Sequence, residues 1–185
     1  VNLASGYGFG SSAWGSQSFD EFWASNAPLY ALLLAGWLTA FDVEWLNVRG
    51  FSLIIAAVGA LSFTSAVRNF NLVKRRDDLG YFLIALLTIF PFVYSYRIGR
   101  PDVLGMCLSA LLLYSLSLPT SNLRKLFVII FAASLIWTSL AVALFVTLQS
   151  GIVLLFYRRA FFRDLLLIAG GLVLGALSLA VFLLV

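Results

Sequence analysis

Apolar residues fall in long blocks along this chain, and polar and charged residues collect in the short stretches between them. The first block, Leu29–Phe41, has 13 residues, with Pro28 before it and Asp42-Val43-Glu44 after it. Pro suits the first position of a helix. Thirteen residues are too few to cross a hydrocarbon core, which takes about 20. The block therefore predicts an interfacial helix lying along a membrane. The next blocks predict spans at Leu46–Val67, Leu79–Tyr96, Asp102–Leu118 and Leu165–Val185. Between the last two lies Leu126–Tyr157, whose 32 residues are too many for one span and short for two. Residues 1–28 are polar and aromatic and hold no Lys or Arg, which suits a loop at a membrane–water interface. The predicted fold class is all-α: one polytopic integral membrane helical bundle over 1–185, with an outer loop at 1–47 that carries the interfacial helix 29–41.

Composition strengthens this picture. Apolar residues make up 62% of the chain and charged residues 11%, against roughly 45–50% and about 25% in soluble proteins. The net charge of +4 does not point to nucleic acid, because the basic residues sit in loops between apolar blocks. There is no His, so imidazole acid–base chemistry and His-ligated metals are excluded within the chain. The one Cys, Cys107, lies inside an apolar block and reads as helix packing. Gly6-Tyr7-Gly8-Phe9-Gly10 lacks the spacing of a phosphate cradle and reads as a turn. Gly171 and Gly175 have GxxxG spacing, a helix-packing face. A start at Val1 without Met and an end inside an apolar run at Val185 predict a piece of a longer protein.

The basic loops decide how often the long block crosses. Arg68, Lys74, Arg75, Arg76, Arg124, Lys125, Arg158, Arg159 and Arg163 are nine of the twelve basic residues. They share one side only if the long block crosses twice, as a tight hairpin, giving spans at about 126–139 and 140–157. The last span then covers 165–185, and the shared side is cytoplasmic. Two helices of about 15 residues rise only about 22 Å each, so the tip at Trp137-Thr138-Ser139 should lie below the outer surface. Bent backbone at that depth needs protein or a water-filled cavity around it. The expectation is an outward-facing cavity floored by Trp137–Ser139.

Three basic residues remain for the outer side: Arg49, Arg97 and Arg100. The outer acids are Asp20, Glu21, Asp42, Glu44 and Asp102, of which the adjacent Asp20-Glu21 reads as a solvated loop pair. No ionisable residue is expected at mid-depth, which argues against an ion-coupled transporter. In Arg97-Ile98-Gly99-Arg100-Pro101-Asp102 the Gly permits a sharp turn and the Pro opens a helix. Asp102 then sits in the first turn, near the positive end of the dipole. Such a helix end with two guanidinium groups nearby fits a phosphate or diphosphate head group. The same residues also fit a plain helix start with interface anchors, and Arg49 fits an anchor or a partner of Glu44.

The order of short motifs resembles a known family. An Ala4-Ser5-Gly6-Tyr7-Gly8 loop is followed by Asn26-Ala27-Pro28-Leu29-Tyr30 opening a short apolar helix. Val48-Arg49-Gly50-Phe51-Ser52 then enters a span, and Arg97–Asp102 opens another after a basic turn. Over residues 1 to about 165 the chain resembles the GT-C glycosyltransferases related to protein O-mannosyltransferases and to the aminoarabinose transferases of lipid A. The resemblance implies a membrane enzyme of the inner or plasma membrane with an extracytoplasmic active face. It would move a sugar from a polyprenyl-phosphate donor to a lipid, glycan or protein acceptor. Asp102 would be a catalytic carboxylate, and Arg97, Arg100 and Arg49 would hold the donor's lipid phosphate. The expected general base would lie before Val1. The aminoarabinose transferases carry Lys before the helix-opening Pro, where this chain has Ala27. No metal-ligating residue is singled out, and a divalent cation stays open as a cofactor. The alternatives are a lipid-head-group binding or flipping protein and a structural membrane subunit.

Overall fold

The computed structural model describes residues 28–73, 76–88, 102–157 and 161–184. Among these residues the chain is all-helical, with no strand. The helices are α1 (Leu29–Phe41), α2 (Trp45–Asn69), α3 (Arg76–Thr88), α4 (Asp102–Ser117), α5 (Asn122–Ile136), α6 (Leu140–Tyr157) and α7 (Phe161–Leu184). Of these, α2 and α7 are long and apolar enough to cross a membrane, whereas α1, α4 and α6 are shorter apolar helices.

Local chemistry sets several of the boundaries. At the end of α2, Asn71 takes a left-handed φ of 57°. Asn71 N–H donates to Arg68 O at 2.9 Å and Leu72 N–H to Val67 O at 3.1 Å. These two bonds use carbonyls that the last turn leaves unpaired, the pattern of a Schellman cap. At the start of α5, Ser121 is extended and its hydroxyl accepts from Arg124 N–H at 3.1 Å, so it serves as N-cap. The break between α5 and α6 falls at Trp137-Thr138-Ser139, where Ser139 N–H donates back to Leu135 O at 2.9 Å.

Two seams of parallel helices make up the packing. In the first, Gly59 of α2 meets Cys107 of α4, where an added Cβ would lie 3.0 Å from the Cys107 Cα. Ten residues further along both helices, the Asn69 side-chain amide donates to Ser117 Oγ at 3.0 Å. Equal steps in the same direction make α2 and α4 parallel. In the second seam, Gly171 and Gly175 of α7 lie on Ile129, Ala132 and Ala133 of α5. A Cβ at Gly175 would stand 2.5 Å from the Ala133 carbonyl oxygen, so only Gly permits this approach. Trp137 Nε1 donates to Ser178 Oγ at 2.8 Å further along the same seam. The Gly171/Gly175 face is thus a packing face, as its spacing predicts. The seams join where α4 packs on α5, around Val103, Leu112, Leu116, Val128 and Leu135, all fully buried.

Because α5 and α7 are parallel, α6 runs back between their ends. It packs sparsely, and Leu144, Phe145, Leu148, Leu155 and Phe156 are all more than 60% exposed. Large apolar side chains also point outward from α2 and α7, among them Leu53, Leu61, Leu166 and Leu177. Contiguous exposed apolar surface on this scale is rare on a soluble monomer. Short α1 turns back along the first turns of α2: Tyr30 Oη bonds Ser52 Oγ at 3.0 Å, and Trp37 Nε1 donates to Asn47 O at 3.1 Å.

Candidate functional site

The parallel seams sort the described charges by end. The ends of α2 and α4 and the starts of α5 and α7 lie together and carry Arg68, Arg124, Lys125, Arg163 and Asp164. The starts of α2 and α4 lie at the opposite end with Asp42, Glu44, Arg49 and Asp102. Arg49 and Asp102 therefore share an end of the bundle. Arg97 and Arg100 lie outside the described residues.

Asp102 lines the head of an apolar cavity of about 440 Å³. Its walls are Phe63 and Gly59 of α2, Met106 and Leu113 of α4, and Val142, Val146 and Gln149 of α6. The spacing 102, 106, 109, 110 and 113 puts one face of α4 along the cavity. The eleven rises from Asp102 to Leu113 make it about 16 Å long. Asp102 is half-buried in the first turn, where a carboxylate is favoured by the helix dipole.

Arg49 lies above this cavity, outside its lining. Gly59 is level with Cys107, so Asp102 is level with about residue 54 of α2. Arg49 thus stands five residues beyond Asp102, about 7–8 Å along the axis. At 100° per residue it shares a face with Ala56, Ala60 and Phe63, the face that α4 covers further down. Arg49 is exposed on this face, with its guanidinium 5.2 Å from the centre of the Trp45 ring.

The hairpin tip packs against the start of α1. Thr138 is 2% exposed, and the Trp137 carbonyl accepts from Leu29 N–H at 3.0 Å. The start of α1 meets the tip at this bond, and Trp137–Ser139 are not among the residues that line the cavity described above. That cavity lies beside the hairpin and takes its wall from α6. Burial pushes the Tyr30 phenol above its ordinary pKa, with the Ser52 bond acting the other way.

At the opposite end the structure brings together a pair that the sequence does not announce. Arg124 Nη1 donates to Asp164 Oδ1 at 2.9 Å and Nη2 to Oδ2 at 2.7 Å. Arg124 Nε also donates to Ser115 O at 3.1 Å. Both side chains are 1% exposed. The guanidinium serves the last carbonyls of α4, which have no helical partner, and Asp164 occupies the first turn of α7. Each charge sits at the helix end that favours it. Arg124 is therefore not the solvated loop cation that its sequence position suggests. The signal that could have pointed here is an acid, Asp164, among basic loop residues at the start of an apolar block.

No group of three or more His, Cys, Asp or Glu that could hold a metal occurs among the described residues. No family model matches the chain, and no curated protein or solved structure is significantly similar to it.

Proposed function

We propose that this chain is a polytopic membrane protein and a glycosyltransferase that takes its sugar from a polyprenyl-phosphate donor. The observation that carries the reading is the apolar cavity headed by Asp102 and overhung by Arg49. Its shape and polarity suit a lipid chain below and a charged phosphate–sugar group above. The outward apolar faces of α2, α6 and α7 support burial in a bilayer. Arg68, Lys125 and Arg163 mark their end as cytoplasmic and the Asp102 end as extracytoplasmic.

In this reading the bond from the sugar's anomeric carbon to the lipid phosphate breaks as a bond to an acceptor hydroxyl forms. A carboxylate takes the hydroxyl proton, and cations stabilise the departing phosphate. Asp102 supplies a carboxylate at the reacting end, and Arg49, with Arg97 and Arg100, supplies the cations.

Two variants of the full-length protein in lipid nanodiscs test this. Met106→Trp fills the cavity and should weaken binding of a polyisoprenyl phosphate by at least about tenfold. Asp102→Asn should insert normally and lose sugar transfer. Unchanged binding in the first would remove the cavity as the lipid site. Unchanged transfer in the second would remove Asp102 from the reaction. Binding without transfer in the unmodified protein would favour a lipid-head-group binding protein instead.

A further inference from the structure

Arg49 overhangs the start of α4, yet its side chain is long and its position on the surface is not fixed by burial. An unrestrained arginine loses considerable rotamer freedom when it orders on a ligand. Trp45 supplies a restraint. It lies one helical turn before Arg49, its ring centre is 5.2 Å from the guanidinium carbon, and Trp45 is 59% exposed. At 100° per residue Trp45 falls on the same face of α2 as Ala56 and Phe63. Ring and guanidinium therefore both stand on the α4-facing side of α2, beyond the level of Asp102.

We infer that Trp45 is a positioning residue, holding Arg49 over the α4 start so that it meets the phosphate of a lipid-linked donor. The inference rests on the proposed function. Trp45 does not touch the phosphate; it acts by limiting where the guanidinium can go. A ring face is suited to this, because it attracts the cation without using the N–H groups that bind phosphate. An indole at the head-group level of a bilayer also anchors a helix, and anchoring would act without Arg49. The two roles differ in whether the effect of Trp45 passes through Arg49.

A double-mutant cycle reads that difference. The full-length protein in nanodiscs of neutral phospholipid is titrated with a long-chain polyisoprenyl monophosphate and, separately, with the unphosphorylated polyisoprenol. Trp45→Leu should weaken monophosphate binding about fivefold. Trp45→Phe keeps a ring face and should restore binding to within about twofold. In an Arg49→Ala background, Trp45→Leu should change nothing further. Polyisoprenol binding should be the same in all variants. A fivefold loss that persists without Arg49, or a matching loss of polyisoprenol binding, would overturn the inference and make Trp45 an anchor. A silent Trp45→Leu, in a protein that still prefers the monophosphate, would overturn it while leaving the proposed function intact. No preference for monophosphate over polyisoprenol in the unmodified protein would sink both.

Discussion

Each end of the bundle sets an arginine on one helix near a first-turn aspartate on a parallel neighbour. At one end Arg124 and Asp164 are level, and they close into a bidentate pair that is 1% exposed. At the other end Arg49 stands about 7–8 Å beyond Asp102 along the axis, and its guanidinium rests on Trp45 instead. The residue types are the same and so is the parallel arrangement. Register alone separates the two. A level pair satisfies itself and becomes structure, whereas the offset leaves Arg49 on the surface beside Trp45 and Asp102 at the head of an apolar cavity. The proposed donor, with an anion and a lipid chain, would use the second arrangement.

That difference can be broken, beginning with the largest expected effect. Asp164→Ala strands a buried guanidinium and should cost about 3–5 kcal/mol of stability, read by thermal unfolding in detergent. Replacing both partners by Leu should recover most of that loss. A cost under about 1 kcal/mol for Asp164→Ala would mean the pair contributes little to holding that end together. Next comes the seam that keeps Arg124 and Asp164 level. Gly175→Leu forces a side chain into the Ala133 backbone and should cost about 1–3 kcal/mol or more. Gly170→Ala is the matching control. Nothing lies within 4 Å of its Cβ position, so its effect should stay within about 0.5 kcal/mol. Equal effects at the two glycines would refute the close seam.

Smaller still is Tyr30→Phe, which removes the bond to Ser52 and should cost about 1 kcal/mol by the same measurement. The smallest stability effect is expected at the open end. Asp102→Asn should change the unfolding temperature little, with a loss under about 1 kcal/mol, and should still abolish transfer. If it destabilised as much as Asp164→Ala, Asp102 would be structural and the contrast between the ends would collapse.

Much of the helical frame was legible in the residues. The block from Leu29 to Phe41 became α1 with those bounds, because Pro28 and Asp42-Val43-Glu44 delimit it on both sides. The break at Trp137–Ser139 followed from counting basic residues, and it lies where α5 ends and α6 begins. The predicted starts at Leu126 and Leu165 were late: α5 begins at Asn122 and α7 at Phe161. The reason is the same in both. By sequence, charged residues read as loop residues, but Arg124 and Asp164 neutralise each other and fold into the first turns of their helices. Forty residues separate them, and apolar spacing carries no information about such a partner. At the candidate site Asp102 was legible as a helix start. The cavity beside it was not, because it needs three helices that meet only in the fold. The predicted floor residues Trp137–Ser139 do not line this cavity; the Trp137 carbonyl there accepts from Leu29 N–H. Arg97 and Arg100 lie outside the described residues.

The Arg124–Asp164 pair also sets a clock on biosynthesis. Arg124 is made forty residues before Asp164, and a chain grows at about 5–20 residues per second. For roughly 2–8 seconds the guanidinium has no carboxylate to meet. Until the first turn of α7 is made, the start of α5 lacks the bidentate partner that ties these two helix starts together.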